Sequence, residues 1–334
     1  MTMLRFVLKR LAAAVAVMLF LTLVVFFLQK MTPIDPVHAK LGANASASAL
    51  AAENHRLGYD KPVVTQYLHY VGGLLHGDMQ DSLRTRRPVT TDLATFFPAT
   101  LELAAFGLLF AVVAGVLLGV LSAVKWKGAA VLRVIMASSA SAPVFLVALL
   151  GILVFYRTLG WLPATGRTSL LNAPTGPTGL LTVDGLLNGR PDVTVDALRH
   201  LVLPAIAIGI GPAVSIARVL RSSIVGTMRG DFVRTARAKG LTEGRILRKH
   251  ALRNSAGPAL SMGGLQVGLM LAGLVVVESI FAWPGMGLYI VQSIPRADFP
   301  AIAGVTLVLG GIYVIVNAIV DLLQAAADPR IAVS

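Results

Sequence analysis

The chain has 334 residues, 56% of them apolar and 13% charged, with a mean hydropathy of +0.77, a composition that excludes an ordinary soluble domain and places the chain in a membrane. Its formal net charge of +13 does not call for nucleic acid, because the cations lie in loops beside apolar runs, where they set membrane topology. The absence of cysteine removes disulfides, thiolate metal sites and a cysteine nucleophile.

Arg5, Lys9 and Arg10 precede an apolar run from Leu11 to Leu28. A secretory leader starts the same way, but this run is longer than a leader's apolar core and no small-residue cleavage site follows it. It reads as an uncleaved first span with its N-terminus in the cytoplasm, giving a first segment of residues 1–30. Residues 31–97 are polar and balanced in charge, too long for a simple hairpin, and read as an extracytoplasmic insertion. Ala43–Glu53 and Gln66–Leu75 are its expected helices.

Pro98-Ala-Thr-Leu-Glu102 is expected to open the second span, to about Val124, since a proline costs little at a helix start. Gly107, Gly115 and Gly119 lie along this span, the last two as a Gly-x-x-x-Gly pair that allows close helix packing. Lys125, Lys127 and Arg133 form a basic turn expected to face the cytoplasm. The third span is expected over about Val134–Tyr156, with Pro143 able to kink it and Ser138, Ser139 and Ser141 read as helix-packing residues before a wet path. Trp161 suits an outer interface, and Asn172–Asp196 reads as an outer loop. His200 is expected to open the fourth span, to about Ile224, as a structural histidine, because no second ligand stands beside it at metal spacing.

From Arg218 to Arg253 ten basic residues are opposed only by Asp231 and Glu243. Within this loop Asp231 reads as a helix N-cap, Gly240 as a left-handed helix stop, and Thr242 as the cap of a second short helix with Glu243 in its first turn. A solvated basic loop and a docking surface both fit this composition. The fifth span follows over about Gly257–Ala282 and carries Glu278 near its end, a carboxylate that costs about 2.5–3.5 kcal/mol at mid-membrane and less near the interface. A structural role, bonded to loop backbone or to Arg296, is preferred for it over a gate. The sixth span covers about Ala301–Ala325, with Asp321 read as a helix-end residue paired to a basic loop side chain.

The run Arg234-Thr-Ala-Arg-Ala-Lys-Gly-Leu241, followed by His250-Ala-Leu-Arg-Asn254 and Pro258, resembles the cytoplasmic coupling loop of ATP-binding-cassette importer permeases, in the version of the dipeptide, oligopeptide and nickel family. Leu57-Gly-Tyr-Asp-Lys-Pro62, Gly77-Asp78 with Ser82, Glu278 through Gly287, Asp298-Phe-Pro300 and Asp328-Pro-Arg330 are similar to the same family, so the resemblance covers nearly the whole chain. The chain departs from it at Ile34 and Gln80, where the family tends to have glycine.

The resemblance implies an all-α integral membrane protein of six transmembrane helices with the type I ABC importer permease fold and an outer insertion after the first helix. Residues 98–334 form the permease core, with the coupling loop at 227–254. It implies a multi-pass protein of the cytoplasmic membrane with both termini inside. Implied partners are a homologous second permease, two ATPase subunits or domains, an extracytoplasmic solute-binding protein, a peptide substrate and the lipid bilayer. The coupling residues so implied are Asp231, Arg234, Thr235, Ala236, Arg237, Ala238, Lys239, Gly240 and Leu241, with Ala236 and Gly240 fitting against the ATPase because they are small. Glu278, Pro284, Gly285 and Gly287 are gate or structural residues, the glycines allowing a tight turn. No cofactor is expected on this chain. The resemblance implies ATP and magnesium on the partner ATPases; this chain has no Gly-x-x-x-x-Gly-Lys-Ser/Thr loop and cannot cradle ATP by that device. The implied mechanism is alternating access. Nickel chelates or glutathione are alternative substrates. An ion-coupled secondary transporter and an intramembrane enzyme are the other classes, and both want ionisable or catalytic groups deep in the spans.

Overall fold

The computed structural model describes residues 3–31, 37, 45–140, 142–173 and 176–327. Its elements are α1 (Met3–Met31), α2 (Ala47–Leu57), α3 (Val63–Leu75), α4 (Val89–Ala123), α5 (Ala129–Ala140), α6 (Val144–Gly151, prolonged by a π-helical stretch Ile152–Thr158) and α7 (Leu181–Leu187). There follow α8 (Pro191–Thr227), α9 (Asp231–Ala238), α10 (Glu243–Ile246), α11 (Leu252–Ile280, reached through a π-helical stretch Leu247–Ala251), α12 (Met286–Ser293) and α13 (Phe299–Ala327). α1, α4, α8, α10–α11 and α13 are each long and apolar enough to cross a bilayer, and α5 with α6 makes a sixth span if counted together. Ile34, Asp35, Lys40, Ser141 and Asp328–Arg330 lie outside the described residues, as does the Asp321 side chain.

The chain divides into two compact units, one of Pro98–Pro284 with the chain from Ile315, the other of Leu4–Phe97 with Gly285–Val314. In the first, α4 lies directly on α8. A Cβ at Gly107 would stand 2.5 Å from Ile208, one at Gly115 2.9 Å from Ile216, and one at Gly119 3.0 Å from Leu220. The partner is 101 residues on in every pair, so the two helices run parallel. Gly115 and Gly119 also face the carbonyl oxygens of Ala213 and Ala217 at 3.0 and 3.1 Å from the Cβ position. This is the close backbone approach that a Gly-x-x-x-Gly pair permits.

Two parallel neighbouring spans require the chain to recross the layer between them. α5 and α6 make that crossing. Met136 packs with Val214 and Ala217, Gly151 faces Leu203, and the Trp161 carbonyl accepts from Arg199 Nη2 at 3.2 Å. These contacts move steadily toward the N-terminal end of α8. The third span is therefore not the single kinked helix expected from the sequence but two helices bent by 110°. Pro143 stands extended before α6 (φ −61°, ψ 145°), where its missing N–H costs no helical bond. Ser138 is exposed and Ser139 half-buried, so neither is tightly packed within this chain. α11 runs antiparallel to α8, since Gly263 faces Ile216 and Gly273 faces Ile208.

Three boundaries differ from the sequence expectation. α4 begins nine residues before Pro98, because Val89 and Leu93 bury an apolar stripe and Asp92 in its first turn is hydrogen-bonded. α8 begins at Pro191, not His200, with Asp192 in the first turn, a proline-plus-acid start hidden inside a Gly/Pro-rich stretch. The expected outer loop over Asn172–Asp196 accordingly contains α7 and the first turns of α8. The insertion helices α2 and α3 are present, each shifted from the expected bounds by about one turn or less.

In the second unit, Met286 and Tyr289 of α12 and Ala301 and Val305 of α13 bury against Val89 and Leu93. Asp298 accepts from Ser82 Oγ and the Arg84 N–H through one oxygen and from the Ala301 N–H through the other, so it ties the insertion to the start of α13. Asp92 accepts from Tyr289 OH (2.8 Å), Arg87 (2.6 Å) and Thr85. Asp92 is a buried acceptor close to the Tyr289 hydroxyl, and burial, first, raises the Tyr289 pKa.

Gln80, where the resemblance implies glycine, has φ +64° and gives its N–H to Asp78 Oδ1 at 2.8 Å. A non-glycine residue in the left-handed region costs about 1–2 kcal/mol. Gln80→Gly is expected to stabilise the chain by about 1 kcal/mol, read as a rise in the thermal unfolding midpoint of the detergent-solubilised protein. An unchanged midpoint counts against strain at this turn.

Candidate functional site

The loop between α8 and α11 folds as a closed hairpin of α9 and α10. Asp231 is the first helical residue rather than the N-cap. Gly230 takes the cap position (φ −68°, ψ 153°), and the Asp231 side chain is 96% exposed. It still serves the helix dipole from the first turn. At the other end Gly240 has φ +80°, its N–H bonds the Arg237 carbonyl at 2.9 Å, and the Leu241 N–H bonds the Ala236 carbonyl at 3.2 Å. These two bonds with an apolar contact across them make a Schellman stop. Thr242 is the N-cap of α10, without a side-chain cap bond.

Val233, Ala236 and Ile246 are buried together, with Met228 and Leu241 packed against them. Ala236 is 8% exposed. Its side chain turns into the loop's own core, so the outward-facing role expected for it is not where the structure places it. Gly240 is open, with nothing within 4 Å of a Cβ position. What requires glycine there is the positive φ and not a close neighbour. Arg237 pairs with Glu243 across the turn at 2.6 Å. The shared hydrogen bond, first, raises Arg237 and lowers Glu243 from their ordinary values. Asp231, Arg234, Thr235 and Ala238 remain exposed, and their spacing of three and four puts them on one stripe opposite the buried one. Lys239 is exposed beside it.

At the opposite end of the first unit, Glu278 is fully buried and accepts from Thr100 Oγ1 at 2.7 Å. Thr100 of α4 is thus one of its partners, a contact between two spans that local spacing does not show. Trp283 is also fully buried and donates to the Ala99 carbonyl at 2.8 Å. The positive φ of this turn falls on Ala282 (+46°), whereas Gly285 is at −111°, so the expected use of glycine for turn geometry does not apply there. Pro284 is exposed, while Gly285 and Gly287 are buried.

Against this geometry, residues 91–333 match the model for the binding-protein-dependent transport system inner membrane component, and residues 3–104 match that family's N-terminal model. The chain belongs to this permease family. It is 42% identical over 333 residues to the di/tripeptide transport system permease protein of Pseudomonas aeruginosa, covering 98% of this chain and 99% of the relative. It is 41% identical over 312 residues to a probable D,D-dipeptide transport system permease protein of Escherichia coli, covering 92% of each. It is 36% identical over 340 residues to the dipeptide transport system permease protein of Escherichia coli, covering 98% of this chain and 99% of that one. The chain is therefore a multi-pass ABC importer permease with the type I permease fold.

The permease also carries a charged pair that sequence reasoning passed over. Glu102, 3% exposed, accepts from Arg167 Nη2 at 2.6 Å and from the Thr182 N–H and Oγ1 at 2.9 and 2.6 Å. Arg167 also donates to the Gly179 carbonyl at 3.0 Å and lies 5.7 Å from the Trp283 ring centre. The available signal was an acid four residues past Pro98 inside an apolar run, with its paired cation 65 residues away and invisible to local spacing. His200 is buried, with Nδ1 at 2.8 Å from the Asp196 carbonyl and Nε2 at 3.3 Å from Ser169 Oγ. Both ring nitrogens are thus occupied by polar neighbours, as a structural histidine requires.

Two outcomes follow from this geometry. Glu102→Ala leaves the Arg167 charge buried without its partner and should cost about 3–5 kcal/mol. Glu102→Ala with Arg167→Met should recover most of that loss in the same thermal unfolding measurement, and equal losses would mean the pair is not coupled. At the hairpin, Gly240→Val forces a β-branched residue to positive φ, so the protein should insert at normal levels while transport falls at least about tenfold, corresponding to about 1.4 kcal/mol. Unchanged uptake at equal expression would contradict it.

Proposed function

We propose that this permease is one of two transmembrane subunits of an ATP-driven importer that carries dipeptides or short oligopeptides inward across the cytoplasmic membrane. Its partners in this reading are a homologous permease, two ATPase subunits or domains that bind ATP and magnesium, and an extracytoplasmic solute-binding protein. This chain itself is non-catalytic. Both termini and the α9–α10 hairpin lie on the cytoplasmic side, and residues 31–97 lie outside. The concentration of ten cations between Arg218 and Arg253 supports that orientation. The peptide substrate is supported by the names of the three relatives above, which are di- or tripeptide, probable D,D-dipeptide and dipeptide transport permeases matched over 92–99% of their length.

The observation that carries the coupling role is the rigid hairpin with its exposed stripe of Asp231, Arg234, Thr235 and Ala238. A helix stopped by a Schellman turn and pinned by Val233 and Ile246 moves as one body, so force on the stripe passes to α8 and α11. The small Thr235 and Ala238 let an ATPase groove close over the helix, and Arg234 supplies a charged anchor. Glu278, Pro284, Gly285 and Gly287 belong to the outer end, where the spans part in the outward-open state.

The test is purification of the chain from its native membrane in mild detergent, with partners identified by mass, for wild type and Ala238→Tyr. Wild type should bring down a second permease and ATPases, and Ala238→Tyr should lose the ATPases while keeping the second permease. Recovery of ATPases with both forms would remove the stripe from the interface. Recovery of the chain alone would remove the importer.

A further inference from the structure

A cleft of about 940 Å³ opens between the ends of α4 and α8 and the hairpin. One wall is apolar, made by Ala123, Val124, Ile224, Val225, Met228 and Leu247. The rim is basic, with Lys125, Arg229, Arg234 and Arg237 against the single acid Glu243. Glu243 is already matched by Arg237 at 2.6 Å, and Arg234 stands 3.5 Å from Asp231. Among the described residues no carboxylate pairs with Lys125 or Arg229. The cleft therefore presents an apolar slot with two uncompensated cations at its mouth.

That combination selects its occupant. A soluble anion would use the cations and leave the apolar wall wet, whereas a diacyl lipid uses both. Trp126, half exposed, adjoins Lys125 and donates its indole N–H to the Leu121 carbonyl at 2.7 Å. An amphipathic ring held at a span end marks the membrane–water boundary. Basic pockets between spans on the cytoplasmic side suit anionic headgroups, each cation adding to the attraction. We propose that the cleft holds one anionic phospholipid of the cytoplasmic leaflet, its phosphate between Lys125 and Arg229 and an acyl chain along Val124 and Val225. This rests on the proposed orientation. Its consequence is that lipid charge sets how firmly the hairpin is held to the ends of α4 and α8.

The test uses the whole importer, purified in mild detergent from membranes holding phosphatidylglycerol and phosphatidylethanolamine, with retained lipid quantified by mass spectrometry. Wild type should retain phosphatidylglycerol preferentially, and Lys125→Gln with Arg229→Gln should lower that retention about tenfold. Lys125→Arg with Arg229→Lys should keep it. Equal retention of both lipids, or no change in the double Gln variant, would overturn the proposal. So would complete displacement of the lipid by millimolar glycerol phosphate, which would leave a free-anion site. A photoreactive residue at Val225 should label lipid, and labelling of an ATPase subunit instead would assign the cleft to the protein partner. ATPase recovery is read from the same sample, so loss of lipid preference and failure of the importer assembly are separate results.

Discussion

Gly107, Gly115 and Gly119 bring the backbone of α4 to within touching distance of α8, against Ile208, Ile216 and Leu220 at a constant offset. In a bilayer, helices gain nothing from hiding apolar side chains from one another, and association depends on close contact. Three glycines on one stripe remove the side chains that would hold the axes apart. The same contact fixes direction. Because α4 and α8 are parallel, α5 and α6 are obliged to cross between them, and α11 returns antiparallel to α8 against the same Ile208 and Ile216. The path of α4, α5–α6, α8 and α11 through this unit follows from one row of missing side chains.

Polar groups are placed at the ends of that apolar frame. Glu102 with Arg167 and Thr182 joins α4 to the segment between α6 and α8, and Thr100 with Glu278 joins α4 to the end of α11. Each charge or carboxylate is expensive inside an apolar layer and is retained only with partners. Directional bonds to a buried carboxylate hold in few geometries, so these clusters specify how the ends seat. In the other unit Asp92 and Asp298 do the same for α12 and α13.

At the basic end the solution differs. The α9–α10 hairpin is too short to be stable alone and holds its shape through a left-handed Gly240, a three-residue core and the Arg237–Glu243 pair. The small residues of Arg234–Leu241 divide between two tasks. Ala236 faces inward to make the hairpin, and Ala238 faces outward. Spacing along a helix distinguishes the two only when the buried stripe is known.

The sequence by itself determined the membrane class, the positions of the apolar spans, the basic loop and the Gly240 stop, because composition, period and backbone preference are local properties. It also marked Gly115 and Gly119 as a packing pair. Only the tertiary structure decided where α4 and α8 begin, how α5 breaks from α6, and which partners Glu278 and Glu102 take. Those partners include Thr100 for Glu278, 178 residues away in sequence, and Arg167 for Glu102, 65 away. A buried carboxylate chooses the donor that packing brings to it, and packing between distant helices leaves no trace in the spacing of either one.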